Sequence, residues 1–216
     1  MHRRTAAVGA LLAAVAPAAA VLAACGGGGL TAGTAAVLDG RRIPVRAVES
    51  RVAELRHAAG GASVDARQQP DGLARRAVAD LVLDAVVARA LADRGLAVAA
   101  AEVAAERADA AERSGGADAL ARVLAARGVP GSGIDDWFRR RLGILRLAAA
   151  AGADAGTPEG EDVVRIALAD AASALRLRIN PRYGTWDPAQ ATLVPDLTPW
   201  LAPDRWRARE VGPFDL

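Results

Sequence analysis

Residues 70–95 read PDGLARRAVADLVLDAVVARALADRG, a stretch in which apolar side chains recur at helical spacing. Pro70 suits the first turn of a helix, because the N–H that it lacks would have no partner there. Gly95 favours the left-handed backbone conformation that ends a helix. The spacing predicts one long helix over 70–94 with a wide apolar face, which we expect at the centre of the fold: Leu73, Val78, Leu81, Val82, Val86 and Leu91.

The segment before this helix predicts a β-hairpin and a first helix. Asp39-Gly40 is a favoured two-residue turn, so Thr34 to Val45 should form two short strands. Pro44 should end their pairing, because proline donates no backbone hydrogen bond. A helix is predicted over about 46–58, where three apolar residues recur at helical spacing: Val48, Val52 and Leu55.

The segment after the central helix predicts four more helices and one strand. The helices should span about 99–113, 118–127, 134–151 and 157–175. The first of them has Val103 as its only bulky apolar residue, so most of its surface should face solvent. Apolar and arginine side chains alternate over 176–179, which is the period of a half-buried strand. The tail from Pro188 holds five of the eleven prolines and has no periodic pattern. We expect residues 188–216 to be loosely ordered.

Composition indicates a mainly α fold. Aromatic residues make up only 3% of the chain, so alanine, valine and leucine must build the core. Alanine has the highest helix propensity of all residues, and a large sheet would need more β-branched and aromatic residues in alternation.

Residues 1–25 contain the parts of a secretory signal. Arg3 and Arg4 precede an apolar run, and small residues lead up to a cysteine. The segment Leu22-Ala23-Ala24-Cys25 resembles a lipobox, the signal that directs lipid onto a cysteine thiol before cleavage. It predicts a signal peptide over 1–24, lipidation of Cys25 and a glycine-rich tether over 25–33.

The same apolar run has an alternative interpretation as a retained membrane helix. About 20 apolar residues are enough to span a bilayer. The run is mostly alanine and is interrupted by Pro17, which would make it a weak permanent anchor. With cleavage, we expect the chain on the extracytoplasmic face of the cell membrane, held by its lipid.

Cleavage would also remove the charge imbalance of the chain. The full sequence has 27 basic and 25 acidic residues, and the signal peptide holds two arginines and no acid. The mature chain would be near neutral, and it has no basic stripe with interleaved aromatics, so we expect no nucleic-acid partner. Lipidation of the one cysteine would leave no thiol for a disulfide or for redox chemistry.

Three short segments share their order with one known family. Gly40-Arg-Arg-Ile-Pro-Val45 follows the predicted first strand, and Gly95-Leu-Ala-Val-Ala-Ala-Ala-Glu-Val103 leads out of the central helix. Asn180-Pro-Arg-Tyr-Gly-Thr-Trp186 follows the predicted C-terminal strand. Together they resemble the SurA/PrsA chaperone family over about residues 34–187, and the last segment is similar to actinobacterial lipoproteins of that family.

This resemblance implies a fold and a function. The fold would be a helical, SurA/trigger-factor-like peptide-binding domain over 34–187, with a small β-sheet that joins the N-terminal hairpin to strand 176–180. Family members cradle extended or partly folded polypeptides outside the cytoplasm. Many carry a parvulin prolyl isomerase domain, for which the short gap from Ala151 to Thr157 leaves no room, so no isomerase activity is expected. Candidate residues for the lining of the cradle, with core packing as the alternative role, are Trp137, Phe138 and Leu142. Tyr183 and Trp186 are expected to close the sheet as a packed loop, with a binding role as the alternative.

The residues that would support catalysis are absent from the predicted mature sequence. His57 is its only histidine and lies at a predicted helix end, so we expect it to face solvent. Zinc sites need three or four suitable ligands, and no phosphate-binding glycine motif follows a predicted strand. Asp135 and Asp136 are adjacent, so they should point to different sides of a helix. Both lie in its first turn, where a negative charge interacts favourably with the positive end of the helix dipole. We expect no enzyme, no metal and no cofactor.

Two hypotheses about function follow. The first is a membrane-anchored, chaperone-like lipoprotein that binds unfolded or secreted polypeptides. The alternative is a structural or assembly lipoprotein that binds one dedicated envelope partner through its proline-rich tail, because such segments often dock onto partners.

Overall fold

The computed structural model describes residues 30–58 and 70–195 and shows a mainly helical protein with small antiparallel sheets. Cys25, the predicted signal peptide and most of the tether lie outside the described residues. Two 3₁₀ turns, Gly131–Gly133 and Pro181–Tyr183, interrupt a series of six helices and five strands in the described part: β1 (Thr34–Leu38), β2 (Arg41–Pro44), α1 (Val45–Ala58), α2 (Pro70–Ala92), α3 (Ala100–Ser114), α4 (Ala117–Ala126), α5 (Ile134–Ala150), α6 (Pro158–Ala174), β3 (Arg178–Ile179), β4 (Thr185–Asp187) and β5 (Thr192–Val194).

The prediction that residues 70–94 form the central helix is confirmed. Helix α2 packs against α1, α5 and α6 and against strands of both sheets. Val78, Val82 and Val86 have no solvent exposure, because the wide apolar face has neighbours on several sides. Gly95 adopts φ +66° just after the helix, as the sequence predicts for a terminating glycine.

The predicted pairing of the two ends of the domain is also confirmed, but the strand spans only Arg178–Ile179 instead of 176–180. Arg176 adopts φ +47°, which is not an extended conformation. Strands run in the order β2–β1–β3, and β3 pairs antiparallel with β1 through Ala36–Ile179 and Val37–Arg178. The turn between β1 and β2 has positive φ at both Asp39 and Gly40, which a tight two-residue hairpin requires. Just after β3, the Asn180 side-chain amide donates a hydrogen bond of 3.2 Å to the carbonyl of Thr34.

The structure differs from expectation at the start of the C-terminal tail, where a second hairpin extends the ordered chain beyond 188. Strands β4 and β5 pair antiparallel, and Leu193 is 94% buried against α2 and its neighbours. A strand of three residues is too short to show a period in the sequence. Gly184 has φ +99°, and a Cβ at this position would lie 2.0 Å from the carbonyl oxygen of Val194, so only glycine admits this close approach. The rest of the tail, 196–216, lies outside the described residues.

The buried side chains form two separate hydrophobic clusters. The large cluster joins β1, α1, α2 and α6 to buried residues of the C-terminal segment, including Tyr183 and Leu193. The small cluster lies between α3, α4 and the first half of α5 and consists of Val103, Leu120, Leu124, Val129 and Phe138. Helix α5 contributes to both, with Phe138 in the small cluster and Leu147 in the large one. The prediction that α3 is mostly solvated is confirmed, since Val103 is its only buried residue.

The candidate binding cleft

A cleft of about 720 Å³ lies where the two hydrophobic clusters meet. Helices α1 and α2 form one side, and the end of α4 and the first half of α5 form the other. The lining residues, which include both apolar and charged side chains, are Leu55, Leu73, Arg76, Asp80, Ala125, Ala126, Arg127, Gly128, Val129, Trp137 and Arg140.

The three candidate cradle residues of the sequence lie together, and one of them reaches the cleft. Phe138 is only 1% exposed and belongs to the small cluster, and Leu142 packs against that cluster while half-buried. Trp137 is half-buried and lines the cleft. Its ring meets that of Phe138 edge to face, with centroids 4.9 Å apart, a favourable aromatic geometry. Phe138 therefore supports the side chain that faces the cleft.

Arg76 is held at the mouth of the cleft by the end of α4. Its Nη2 donates a hydrogen bond of 2.6 Å to the carbonyl oxygen of Arg127. Gly128, the next residue, has φ +81°, and a Cβ there would lie 3.0 Å from Nε of Arg76 and 3.1 Å from its Cζ. Gly128, which follows the end of α4 in the left-handed conformation, thus also makes room for the guanidinium.

A charged cluster lies on the α2–α5 side of the cleft and consists of Asp80, Asp84 and Arg140. Nη1 of Arg140 lies 2.7 Å from Oδ1 of Asp84, and its Nη2 lies 3.5 Å from Oδ1 of Asp80. The three side chains are 13–24% exposed. Burial raises the pKa of Asp80 and of Asp84 above the ordinary 3.8, and the nearby Arg140 opposes this rise.

The sequence contains a signal for this charged cluster that is not among the predictions above. Asp80 and Asp84 are four residues apart, so they share one face of α2 and interrupt its apolar pattern. Two acids within an apolar helix face predict a buried cation on a neighbouring helix, because buried carboxylates need a partner. Helix α5 has three consecutive arginines, and only the structure shows which one faces α2: Arg140.

Polar contacts fix the start of α5 against α1 at the edge of the cleft. Arg51 pairs with Asp136 at 3.2 Å, and Glu54 accepts hydrogen bonds from both the backbone N–H and the hydroxyl of Ser132. Asp135 points away and pairs with Arg107 of α3 at 3.0 Å. The prediction that Asp135 and Asp136 point to different sides is confirmed, and each of them also ties α5 to another helix.

A second cavity of about 560 Å³ lies farther along the α2–α5 groove. Its apolar lining includes Leu81, Leu91 and Val98, and it shares Arg140 with the cleft. The charged cluster therefore separates two concave regions on the same pair of helices.

The described residues offer little for metal chemistry and include few large apolar side chains that are exposed. Within 30–58 and 70–195, no three histidine, cysteine or acidic side chains come together as a metal site would require. His57 is exposed, as predicted. The exposed large apolar side chains of these segments are isolated from one another in sequence: Val123, Leu145 and Ile166. Among the described residues, the cleft is the best candidate for a binding site, because it is concave and lined by both apolar and charged side chains.

None of the helices in the described segments has the length and apolar character that a bilayer crossing requires. No family model, curated protein or solved structure matches this chain, so its resemblance to the SurA/PrsA family stays a prediction from the sequence motifs.

Proposed function

We propose that this chain is a membrane-anchored, extracytoplasmic, chaperone-like lipoprotein that binds unfolded or extended polypeptide segments and has no isomerase activity. The observation that carries the proposal is the cleft between the two hydrophobic clusters. It combines apolar side chains with hydrogen-bonding groups, and an extended polypeptide presents both kinds of surface.

The size of the cleft suits a short segment of chain rather than a folded domain. Pockets for small ligands typically enclose about 300–1,000 Å³, and the cleft, at about 720 Å³, has room for a few side chains of an extended segment. Leu73, Val129 and Trp137 offer apolar contacts for alternate side chains of an extended segment. Such a site would hold a polypeptide briefly and without chemical change.

The architecture supports the proposal in a second way. In the SurA/PrsA family, the C-terminal segment returns to the N-terminal strands and closes a helical peptide-binding domain. Here β3 pairs with β1, and after β2 the regular elements described between them are all helices. No inserted domain separates α5 from α6, which leaves binding without isomerisation as the proposed activity.

The proposal is tested by aggregation of an unfolded client. The chain, isolated from membranes and placed in phosphatidylcholine vesicles, should suppress light scattering by dithiothreitol-reduced insulin. Trp137→Ala should weaken this suppression several-fold, because it removes the aromatic surface of the cleft. Ile166→Ala is the matched control, since it removes an exposed apolar side chain on α6, outside the cleft.

Thermal unfolding of each variant separates lost binding from lost folding. The proposal is supported if Trp137→Ala remains folded at the assay temperature and no longer protects insulin. It is wrong if the wild-type chain leaves aggregation unchanged and binds no unfolded protein.

The membrane anchor is tested at Cys25. Replacing it with serine should abolish acyl incorporation and leave the helical domain folded, because the anchor lies outside that domain. Stable anchoring requires two or more acyl chains or a second membrane signal. A Cys25→Ser variant that still partitions into membranes as an unprocessed chain would show that the apolar run over 6–24 is the anchor instead.

A further inference from the structure

We propose that the cleft selects polypeptide segments in which an acidic side chain lies next to an apolar one, and that Arg76 is the residue that recognises the carboxylate. This inference rests on the proposed function and specifies which segments the cleft prefers.

The charges that line the cleft are unbalanced. Three arginines line it, against one acidic side chain, that of Asp80. Arg140 is already paired with Asp80 and Asp84. Among the described residues, neither Arg76 nor Arg127 has a carboxylate within 4.0 Å. The cleft therefore carries positive charge that an acidic segment would neutralise.

Arg76 is already oriented for this role. One of its nitrogens donates to the carbonyl of Arg127, and its guanidinium lies against Gly128. A guanidinium has five N–H donors in a planar fork, so most of its donors stay available after this single bond. A fork that is fixed before binding loses little conformational entropy when it takes a carboxylate, and bidentate pairs with carboxylates are strong.

The surroundings of Arg76 explain why an apolar neighbour should accompany the acid. Leu73 is one turn away on the same helix, and Val129 follows the glycine on which Arg76 lies. Trp137 lines the opposite side of the cleft. A segment that places a carboxylate at Arg76 therefore brings its adjacent side chains into contact with apolar walls.

The test compares three fluorescent nine-residue peptides that differ only at the central position, which is Glu, Gln or Lys with leucine on both sides. The wild-type chain should bind the Glu peptide about tenfold more tightly than the Gln peptide, as a charge-assisted hydrogen-bonded pair would give. The Lys peptide should bind most weakly. The preference should decrease as salt is raised, because the mouth of the cleft is exposed.

Variants assign the preference to one residue. Arg76→Gln should reduce the preference for Glu to about twofold or less, and Arg76→Lys should keep only part of it, since the planar fork is lost. Arg122→Gln is the control, because it removes the same charge from an exposed site on α4 that does not line the cleft. Melting curves show whether each variant is folded, which matters because Arg76 also contacts the end of α4.

The outcomes separate this inference from the proposed function. Equal binding of all three peptides overturns the selectivity and leaves polypeptide binding in place. A preference that Arg122→Gln reduces as much as Arg76→Gln overturns the role of Arg76, since it reports net charge alone. Absence of binding to every peptide and to reduced insulin overturns the inference and the proposed function together.

Discussion

The two hydrophobic clusters of this protein are built from very different parts of the chain. The large cluster combines the N-terminal hairpin with α2, α6 and the C-terminal segment, so its contacts join residues more than a hundred positions apart. The small cluster takes its five buried residues from Val103 to Phe138 alone. It is local in sequence and has far fewer buried residues than the large cluster.

This difference indicates how the molecule can open without unfolding. Local stability follows the amount of buried apolar surface, so α3 and α4 should open at a lower free energy than the elements of the large cluster. The cleft has Leu73 and Asp80 on the side of the large cluster and Val129 and Trp137 on the side of the small one. Small movements of α3 and α4 would therefore change the width of the cleft.

The strongest test of the comparison uses two buried residues of one helix. Phe138→Ala and Leu147→Ala each remove a nearly unexposed side chain of α5, the first from the small cluster and the second from the large one. Each should lower the free energy of unfolding by about 3–5 kcal/mol, from lost transfer energy and the cavity that remains. Chemical denaturation measures the total loss for both variants.

Hydrogen exchange then separates the two clusters. Phe138→Ala should accelerate exchange mainly in α3 and α4, whereas Leu147→Ala should accelerate it in α2 and α6 as well. Uniform acceleration by both substitutions would mean that the two clusters unfold as one unit.

The next largest expected loss of stability comes from removing the cation of the charged cluster, which lies between the two hydrophobic clusters. Arg140→Met leaves Asp80 and Asp84 partly buried without their cation, which should cost about 2–3 kcal/mol at neutral pH. The value is below that for a fully buried pair because the three side chains remain 13–24% exposed. Denaturant titration measures the loss.

A compensated variant controls for the loss of volume at this position. Adding Asp80→Asn and Asp84→Asn to Arg140→Met should restore part of the stability, because no uncompensated charge remains. If the triple variant is less stable than Arg140→Met alone, the unpaired carboxylates are not the source of the cost.

A smaller effect is the pH dependence that Asp84 introduces. Burial raises its pKa in the folded chain above 3.8. Between the pKa of the unfolded chain and that of the folded chain, the folded chain therefore binds more protons than the unfolded chain. The stability from this group is present at acidic pH and is lost as the pH rises through the folded pKa. As the pH falls from about 7 to about 4.5, the wild type should therefore gain stability relative to Asp84→Asn. A constant difference between the two across this range would contradict the raised pKa.

The smallest effect belongs to the exposed charges around α3. The carboxylate of Glu102 accepts hydrogen bonds from Arg146 and from the backbone N–H of Ala99, whose own side chain has no oxygen to cap the helix. These bonds lower the pKa of Glu102 below 4.5, with that from Arg146 the larger cause. The stability from this group is thus present above pH 4.5 and is lost as the pH falls through the folded pKa, the opposite sign to Asp84.

Glu102→Gln should therefore lower the melting temperature slightly at neutral pH, and salt should reduce the difference. An effect that is unchanged in high salt would mean that the contact is not mainly electrostatic.

The sequence predicts the regular elements of this fold because their signals are local. Spacing of apolar residues sets the position of α2, and Asp39-Gly40 sets the first hairpin. At the start of α6, the Thr157 hydroxyl accepts a hydrogen bond from the backbone N–H of Gly160, and Pro158 occupies the first turn. Strand β5 has no such signal, because three residues are too few to show a period. The alternation over 176–179 predicts a strand, and the family resemblance implies that it pairs with the N-terminal hairpin; the structure confirms the pairing of β3 with β1.

The candidate site was less predictable, because its parts come from four helices. The sequence predicts both Trp137 and Phe138 as candidate lining residues, but only Trp137 lines the cleft and Phe138 is buried. The position of Arg76 depends on how the end of α4 packs against α2, and no spacing within one helix reveals that contact. Side chains from distant segments meet only through tertiary packing, so local sequence patterns cannot predict which residues line the cleft.

The most direct test of the account is hydrogen exchange of the chain in vesicles with and without a reduced and carboxymethylated unfolded protein. Binding in the cleft predicts slower exchange over residues 125–129 and in the first half of α2, with little change in β1, β3 and α6. Slowing that is confined to the sheet or to α6, or no slowing at all, would contradict the claim that the cleft between the two clusters holds polypeptide.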